Sequence, residues 1–346
     1  MKNTQPKSLN KGFFLEALEK VIFDVPSRSQ EIIKSRYGIA GDSPKTLEEI
    51  GMDYKITRER VRQIIKEVFR KIESKEKDDS FRQAGRKIEF TINQNSGIIK
   101  EEDILHKLAG RSTKEQNAVR FLLECLENVV SKEIEGELEK SYHTRNFDFS
   151  EWQEIKNAAK EILEIEKKVI IDEDFYGRFS KKVDSADRNK FFNFINVSRE
   201  IEKNSFGKWG LSHWGEINPK VAWQRAYVIL KETGKPLHFR DIAQIIDKYK
   251  LNKRKTHPQT IHNELIKNDQ FVLVGRGVYA LSKWGYKKGT VKDVLEEILK
   301  ENERPMERDE ILSRISKIRQ VKKSTILINL NNFFEKVEKD KYTVRN

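Results

Sequence analysis

Apolar residues recur at helical spacing in short blocks along most of the chain, and the blocks are separated by capping residues, glycine and proline. Phe13, Phe14, Leu15, Leu18, Val21 and Ile22 make the first block, which Pro26 interrupts. Ser27-Arg28-Ser29-Gln30 has the Ser-x-x-Gln form of a capping box, in which side chain and backbone satisfy each other's donors. The helix it predicts carries Ile32 and Ile33 and stops near Tyr37-Gly38. After a loop over 40–45, Thr46-Leu47-Glu48-Glu49 predicts a second box and a short helix, and a long helix follows Thr57. The charge run Glu73-Ser74-Lys75-Glu76-Lys77-Asp78-Asp79 reads as a helix end or linker. Residues 1–12 are polar and expected to be disordered, so 13–80 is the first expected domain.

Beyond residue 80 one theme repeats. Over 217–286 the pattern predicts helices near 221–231, 240–249 and 259–267. Alternating Phe271-Val272-Leu273-Val274, a Gly275-Arg276-Gly277 turn and Val278-Tyr279-Ala280-Leu281 then predict a hairpin. Three helices and a hairpin make a winged helix. Residues 290–346 fit the same frame, with helices near 291–301, 308–315 and 324–334 and a terminal hairpin. Residues 151–215 end in Leu211-Ser212-His213-Trp214-Gly215, matching Leu281-Ser282-Lys283-Trp284-Gly285, and 86–147 is a weaker copy. The expected fold class is therefore mainly α: a helix-turn-helix over 13–80, then winged-helix modules with small hairpin wings over 86–147, 151–215, 217–286 and 290–346.

The run Thr46 to Ile64 carries the most specific chemistry. Two short helices crossing at a wide angle need a small residue at their contact, which Gly51 supplies. Ile50, Ile56, Val61 and Ile64 are spaced to fill the wedge between them, and Thr57 is placed to cap the second helix. On that helix Arg58, Glu59, Arg62, Gln63 and Lys66 fall on one face, while Val61, Ile64, Ile65, Val68 and Ile72 fall on another. Arginine bridges guanine acceptors or phosphate, glutamine pairs with adenine, and glutamate accepts from cytosine. A solvated face on an ordinary amphipathic helix would show the same stripe, so the stripe alone does not decide.

The surrounding residues do. Arg36-Tyr37-Gly38, Thr46-Leu47-Glu48-Glu49-Ile50-Gly51 and Thr57-Arg58-Glu59-Arg60-Val61-Arg62-Gln63-Ile64 together make residues 27–73 resemble region 4 of the bacterial sigma-70 factors. The resemblance implies a recognition helix that reads the promoter −35 element. Arg58, Glu59 and Gln63 would touch base edges, Arg62 a base or a phosphate, and Thr57 and Lys66 the adjoining DNA. It also implies contact with the beta-subunit flap of the RNA polymerase core. Lys55 stands where the family usually has glycine, at a position that tends to need positive φ. No counterpart of the sigma region that binds the polymerase clamp and opens the −10 element is found in the chain.

Ala226-Tyr227-Val228-Ile229-Leu230-Lys231, Gly234 to Ala243 and Val274 to Leu281 make 221–285 resemble the HARE-HTH winged helices. That family occurs in the polymerase delta subunit, in chromatin proteins and beside restriction enzymes, which implies contact with DNA or polymerase. Lys250, Lys253, Arg254 and Lys255 precede its third helix and Arg276 tips its wing, positions suited to phosphates or to solubilising a loop. His257 and His262 lack nearby carboxylates and make no expected metal site, His238 is expected to serve a helix start, and Trp214 and Trp284 to anchor wings.

Composition narrows the partners. Sixty-eight Lys and Arg against 55 Asp and Glu give a net charge of +13 over 346 residues, which favours polyanions. One cysteine, Cys125, in an apolar run, excludes an intrachain disulfide and a cysteine-based zinc site. No P-loop, dinucleotide fingerprint, HExxH or nucleophile elbow occurs, and Asp172-Glu173-Asp174 suits a helix start better than a nuclease. The expectation is a cytoplasmic, nucleoid-associated transcription protein that binds double-stranded DNA and the polymerase core. It is expected to be no enzyme and to have no cofactor, metal, membrane contact or small-molecule substrate. Two other readings stay open: a polymerase adaptor without sequence-specific DNA binding, and an accessory of DNA modification or defence.

Overall fold

The computed structural model describes residues 12–39, 43–73, 78–183, 187–286, 289–302, 304–318 and 321–345. The tail expected over 1–12 lies outside the described residues except for Gly12, as do 40–42 of the first loop and 74–77 of the charge run. The chain divides into two compact units, 1–202 and 203–346.

The first unit begins with α1 (Phe13–Val21), α2 (Ser27–Tyr37), α3 (Leu47–Tyr54) and α4 (Arg58–Glu73). Thr46 caps α3 as expected: its hydroxyl accepts from Glu49 N–H while the Glu49 carboxylate accepts from Thr46 N–H. The box expected at Ser27 does not form. Ser27 is already helical, Pro26 holds the cap position, and Gln30 Nε2 reaches past it to donate to the carbonyls of Phe23 and Val25. With its φ near the helical value and no N–H to satisfy, proline starts the helix one residue earlier than the serine pattern suggests.

There follow α5 (Asp79–Gln94), β1 (Ile98–Lys100), α6 (Glu101–Ala109), α7 (Thr113–Cys125), β2 (Val129–Ile134) and β3 (Leu138–Thr144). Next come α8 (Phe149–Glu166), α9 (Asp172–Phe179), α10 (Arg188–Asn196) and β4 (Ile201–Lys203), in which the first unit ends. The second unit holds β5 (Trp209–Leu211), α11 (Ala222–Thr233), β6 (Leu237–His238), α12 (Phe239–Lys248), α13 (Pro258–Lys267), β7 (Phe271–Gly275) and β8 (Val278–Leu281). It closes with α14 (Val291–Lys300), β9 (Met306–Glu307), α15 (Arg308–Ile318), α16 (Lys323–Phe333), β10 (Phe334–Glu338) and β11 (Lys341–Val344).

Three modules thus share one topology of helix, short strand, two helices and a hairpin. In each, the short strand pairs antiparallel with the hairpin's second strand, giving the orders β1-β3-β2, β6-β8-β7 and β9-β11-β10. The hydrophobic pattern does not reveal these first strands, because two or three residues are too few to show a period of two. The fold is mainly helical with small wings. The two Leu-Ser-x-Trp-Gly runs begin where β5 and β8 end. Trp284 packs against the core of its module, and Trp214 lies so close over Gly210 that a Cβ there would stand 2.8 Å from its ring.

The core of the first unit crosses the linker. Phe14, Ala17 and Leu18 of α1 and Val68 and Ile72 of α4 are buried in one cluster with Phe81, Ile88, Phe121, Leu122 and Cys125. Phe121 stacks on Phe69 at 5.5 Å and meets Tyr37 edge-on at 5.3 Å. Polar contacts reinforce this packing. The buried Glu115 carboxylate accepts from Phe14 N–H at 2.9 Å and Leu15 N–H at 3.1 Å, capping α1, whose N-cap Gly12 has no side chain to do so. Asn117 Nδ2 donates to Gly38 O at 3.0 Å, and Tyr37 Oη donates to Glu124 at 2.6 Å. The third helix of the first winged module, α7, is therefore spent on holding α1 and α2.

Candidate nucleic-acid interface

The helix-turn-helix is α3 and α4. A Cβ on Gly51 would stand 2.7 Å from the carbonyl oxygen of Ile56 and 3.4 Å from Arg58 N, so only glycine lets the two helices approach. Lys55 ends α3 at φ 54°, the left-handed conformation that the glycine-like position requires. Thr57 Oγ1 accepts from Arg60 N–H at 3.2 Å and caps α4. Ile32, Ile50 and Val61 form a small buried cluster against which Leu47, Tyr54, Ile56, Ile64 and Ile65 pack. The apolar stripe of α4 is thereby divided, its first half closing the helix-turn-helix and its second half, Val68 and Ile72, entering the large core.

Thr57, Arg58, Glu59, Arg62, Gln63 and Lys66 are all exposed, on the first half of α4. Arg62 donates to both oxygens of Glu59, at 2.6 and 2.9 Å, and Gln63 Oε1 accepts from Arg60 at 3.2 Å. The hydrogen bond and charge of Arg62 hold the Glu59 carboxyl below its ordinary range. Among the described residues Arg58 and Lys66 make no side-chain hydrogen bond or ion pair. Arg58 and Lys66 thus meet an incoming polyanion directly, whereas Arg62 and Gln63 must first leave neighbours on their own helix.

Residues 22–73 match the model of sigma-70, region 4. The chain carries a sigma-70 region 4. Residues 223–284 match a second family, HARE-HTH, the HTH domain of ASXL and restriction endonucleases. The RNA polymerase sigma factor SigA of Nostoc is 39% identical over 69 residues, 20% of this chain and 18% of that protein. Sigma factor sigB of Arabidopsis thaliana is 36% identical over 80 residues, 23% of this chain and 14% of that protein. The principal sigma factor HrdD of Streptomyces coelicolor is 38% identical over 69 residues, 20% and 21% of the two chains. The chain thus spans about a fifth of the length of these relatives.

Beside region 4 lies a cleft lined by Arg36, Arg62, Glu101, Arg120, Glu124 and Lys140, among others. The α4 periodicity reveals only one of these cations, because Arg120 and Lys140 come from α7 and β3. Glu101 pairs with Lys140 at 2.6 Å and Arg120 at 3.3 Å and accepts from Tyr142 Oη at 3.2 Å. Partial burial pushes the Glu101 carboxyl up, but the hydrogen bonds and charges of Lys140 and Arg120 outweigh it and hold it below the usual range. A depressed carboxyl contributes stability that is complete above its unfolded pKa and lost as pH falls through its folded value. Urea melts of the full chain across acidic pH are expected to lose less stability on acidification in Glu101→Gln than in wild type. Parallel acid limbs would show that the pair contributes nothing.

In the second unit Lys253, Arg254 and Lys255 are exposed on the loop between α12 and α13, which Asp247 pins by accepting from Thr256 N–H at 2.8 Å. Arg276 is exposed between β7 and β8, where Gly277 has φ 70° and a Cβ would stand 2.7 Å from His238 Nε2. His238 caps α12, its Nδ1 accepting from Arg240 N–H at 3.3 Å, and His262 stacks on Phe239 at 4.5 Å. Among the described residues no group of three or more His, Cys, Asp or Glu is placed to hold a metal, and no helix is long and apolar enough to cross a membrane. Sequence reasoning missed Arg60, which ties Gln63 and lies 3.7 Å from Glu67, and it missed Lys220 and Arg225, which face Lys253 and Arg254 across a cleft.

Proposed function

We propose that the chain is a DNA-binding transcription protein. Its region 4 reads promoter-type double-stranded DNA through the exposed face of α4, with Arg58, Glu59, Arg62 and Gln63 at base edges or phosphates and Thr57 and Lys66 on the backbone. The winged modules extend the contact to DNA, through Lys253, Arg254, Lys255 and Arg276, or to the RNA polymerase core at its beta flap. The observation that carries this reading is the pairing of a closely packed α3–α4 crossing with an outward face of long, forked hydrogen-bonding side chains, in a segment that matches region 4.

Selection from a randomised duplex library tests it. Wild type is expected to enrich a motif. Gln63→Ala should relax preference at one base pair and Arg58→Ala at another, each bidentate contact carrying roughly 1–3 kcal/mol of discrimination. Lys66→Ala should weaken all sequences alike and lower the log–log salt slope by about one unit. If no motif is enriched, or the base-face variants enrich the wild-type motif, α4 does not read sequence. The engagement of Arg62 by Glu59 and of Gln63 by Arg60 supports a second reading, in which region 4 serves as a polymerase adaptor. Retention of the chain by core polymerase without duplex affinity would favour that account.

A further inference from the structure

The second unit contains a concavity that the reading of region 4 does not use. It has a volume of about 520 Å³ and is walled by the 217–220 turn, the start of α11 and the 250–254 loop. Five of its lining residues are cationic, namely Lys220, Arg225, Lys250, Lys253 and Arg254, and among the described residues it is lined by no carboxylate. Elsewhere in the same unit lysines are neutralised: Lys208 pairs with Glu232 at 2.7 Å and Lys231 with Glu216 at 2.6 Å. No ion pair forms at any of the five among the described residues.

Arg225 is the organising element. Its Nε donates to Leu251 O at 3.0 Å and its Nη2 to Lys220 O at 2.8 Å, so one guanidinium ties the two walls together. Gln224 Oε1 accepts from the N–H groups of Lys220 and Val221, fixing the turn before α11. Lys250 holds φ 53°, which turns the chain out of α12 into the opposite wall. The walls are thus fixed by backbone bonds, while the remaining cations face one space. A concave site lined by one sign of charge focuses its field, and α11 adds the positive end of its dipole beside Lys220. Like charges gathered without counterions oppose one another, and phosphate oxygens relieve that by accepting from several of them at once.

We propose that this cleft is a phosphate-binding site, built to take two or more adjacent phosphate groups, whether of a nucleic-acid backbone or of a soluble polyphosphate. The site shares no residue with the α4 face, so it stands or falls independently of the reading of region 4.

The test uses the full chain, inorganic tripolyphosphate and a duplex, with the triple variant Lys220→Ala, Lys253→Ala, Arg254→Ala. These side chains make no bond that holds the fold among the described residues, and Arg225 is left in place. Lys235→Ala, Lys267→Ala, Lys322→Ala, which changes three exposed lysines outside the cleft, is the charge-matched control. Tripolyphosphate is expected to raise the Tm of wild type by binding the folded state, with at least about a tenfold loss of affinity in the cleft variant and none in the control. If the natural ligand is a nucleic-acid backbone, the cleft variant also lowers the duplex salt slope by about 0.9 for each phosphate it no longer neutralises. An unchanged slope with the tripolyphosphate effect intact assigns the cleft to a soluble polyphosphate. Equal tripolyphosphate binding by wild type, variant and control overturns the proposal, as does no binding by any of them. Should wild type bind no duplex, the reading of α4 fails, and the tripolyphosphate arm still decides the cleft.

Discussion

Val61→Asp is expected to abolish duplex binding while leaving most of the helix content in place. Val61 is fully buried between Ile32 and Ile50, in a cluster with no polar group to receive a carboxylate. Burying an unpaired charge there costs more than about 4 kcal/mol, beyond what so small a cluster contributes. The damage should stay local. Phe14, Leu18, Val68 and Ile72 belong to the large core with α5 and α7, so α1 and the second half of α4 remain held when α3 detaches. Amide exchange should show α3 and the start of α4 losing protection, with far-UV circular dichroism little changed. Retained duplex binding with an unprotected α3 would place the DNA contact elsewhere in the chain. Loss of protection throughout the first unit would mean that the two clusters unfold as one.

Glu115→Ala is expected to cost on the order of 2–4 kcal/mol, the second-largest effect. One carboxylate satisfies two backbone donors at the start of α1 from a position 100 residues away in sequence. Hydrogen bonds to an ionised acceptor are about twice as strong as neutral ones, and removing this one leaves both N–H groups without a partner. Glu115→Gln keeps an acceptor oxygen and should recover part of the loss. Urea unfolding gives the magnitude, and exchange at the α1 amides gives the location. A change below about 0.5 kcal/mol, typical of a surface site, would show that solvent or Gly12 takes over the cap.

These two residues differ in how far the sequence announces them. Val61 lies one turn from Ile64 and Ile65 on an apolar stripe, opposite a glycine that two crossing helices need, and its burial follows from helical spacing. Glu115 is one charged residue among many on a helix of mixed pattern, and nothing within its own module calls for it. The same contrast holds on the surface. Arg58 and Gln63 are read from the face of a single helix. Arg225 cannot be read that way: it meets the wall that carries Arg254 only because the chain doubles back between α11 and the 250–254 loop.

By itself, the sequence determined the kinds of elements, the helix-turn-helix with its glycine contact and its left-handed Lys55, and the outward face of α4. Each follows from periodicity, capping or backbone sterics within one or two helices. It also determined the three helices and hairpin of the 217–286 and 290–346 modules, whose wings are long enough to alternate. Tertiary structure decided what lies beyond that range. It set the first strand of each three-stranded wing, too short to signal itself, and the Pro26 start of α2, where a fixed φ overrode the serine pattern. It also set the use of α7 to cap and bury α1, and the gathering of five cations around one cleft. The physical reason is common to all four: local patterns report which side of an element is apolar, and only the folded chain brings distant polar groups within hydrogen-bonding range.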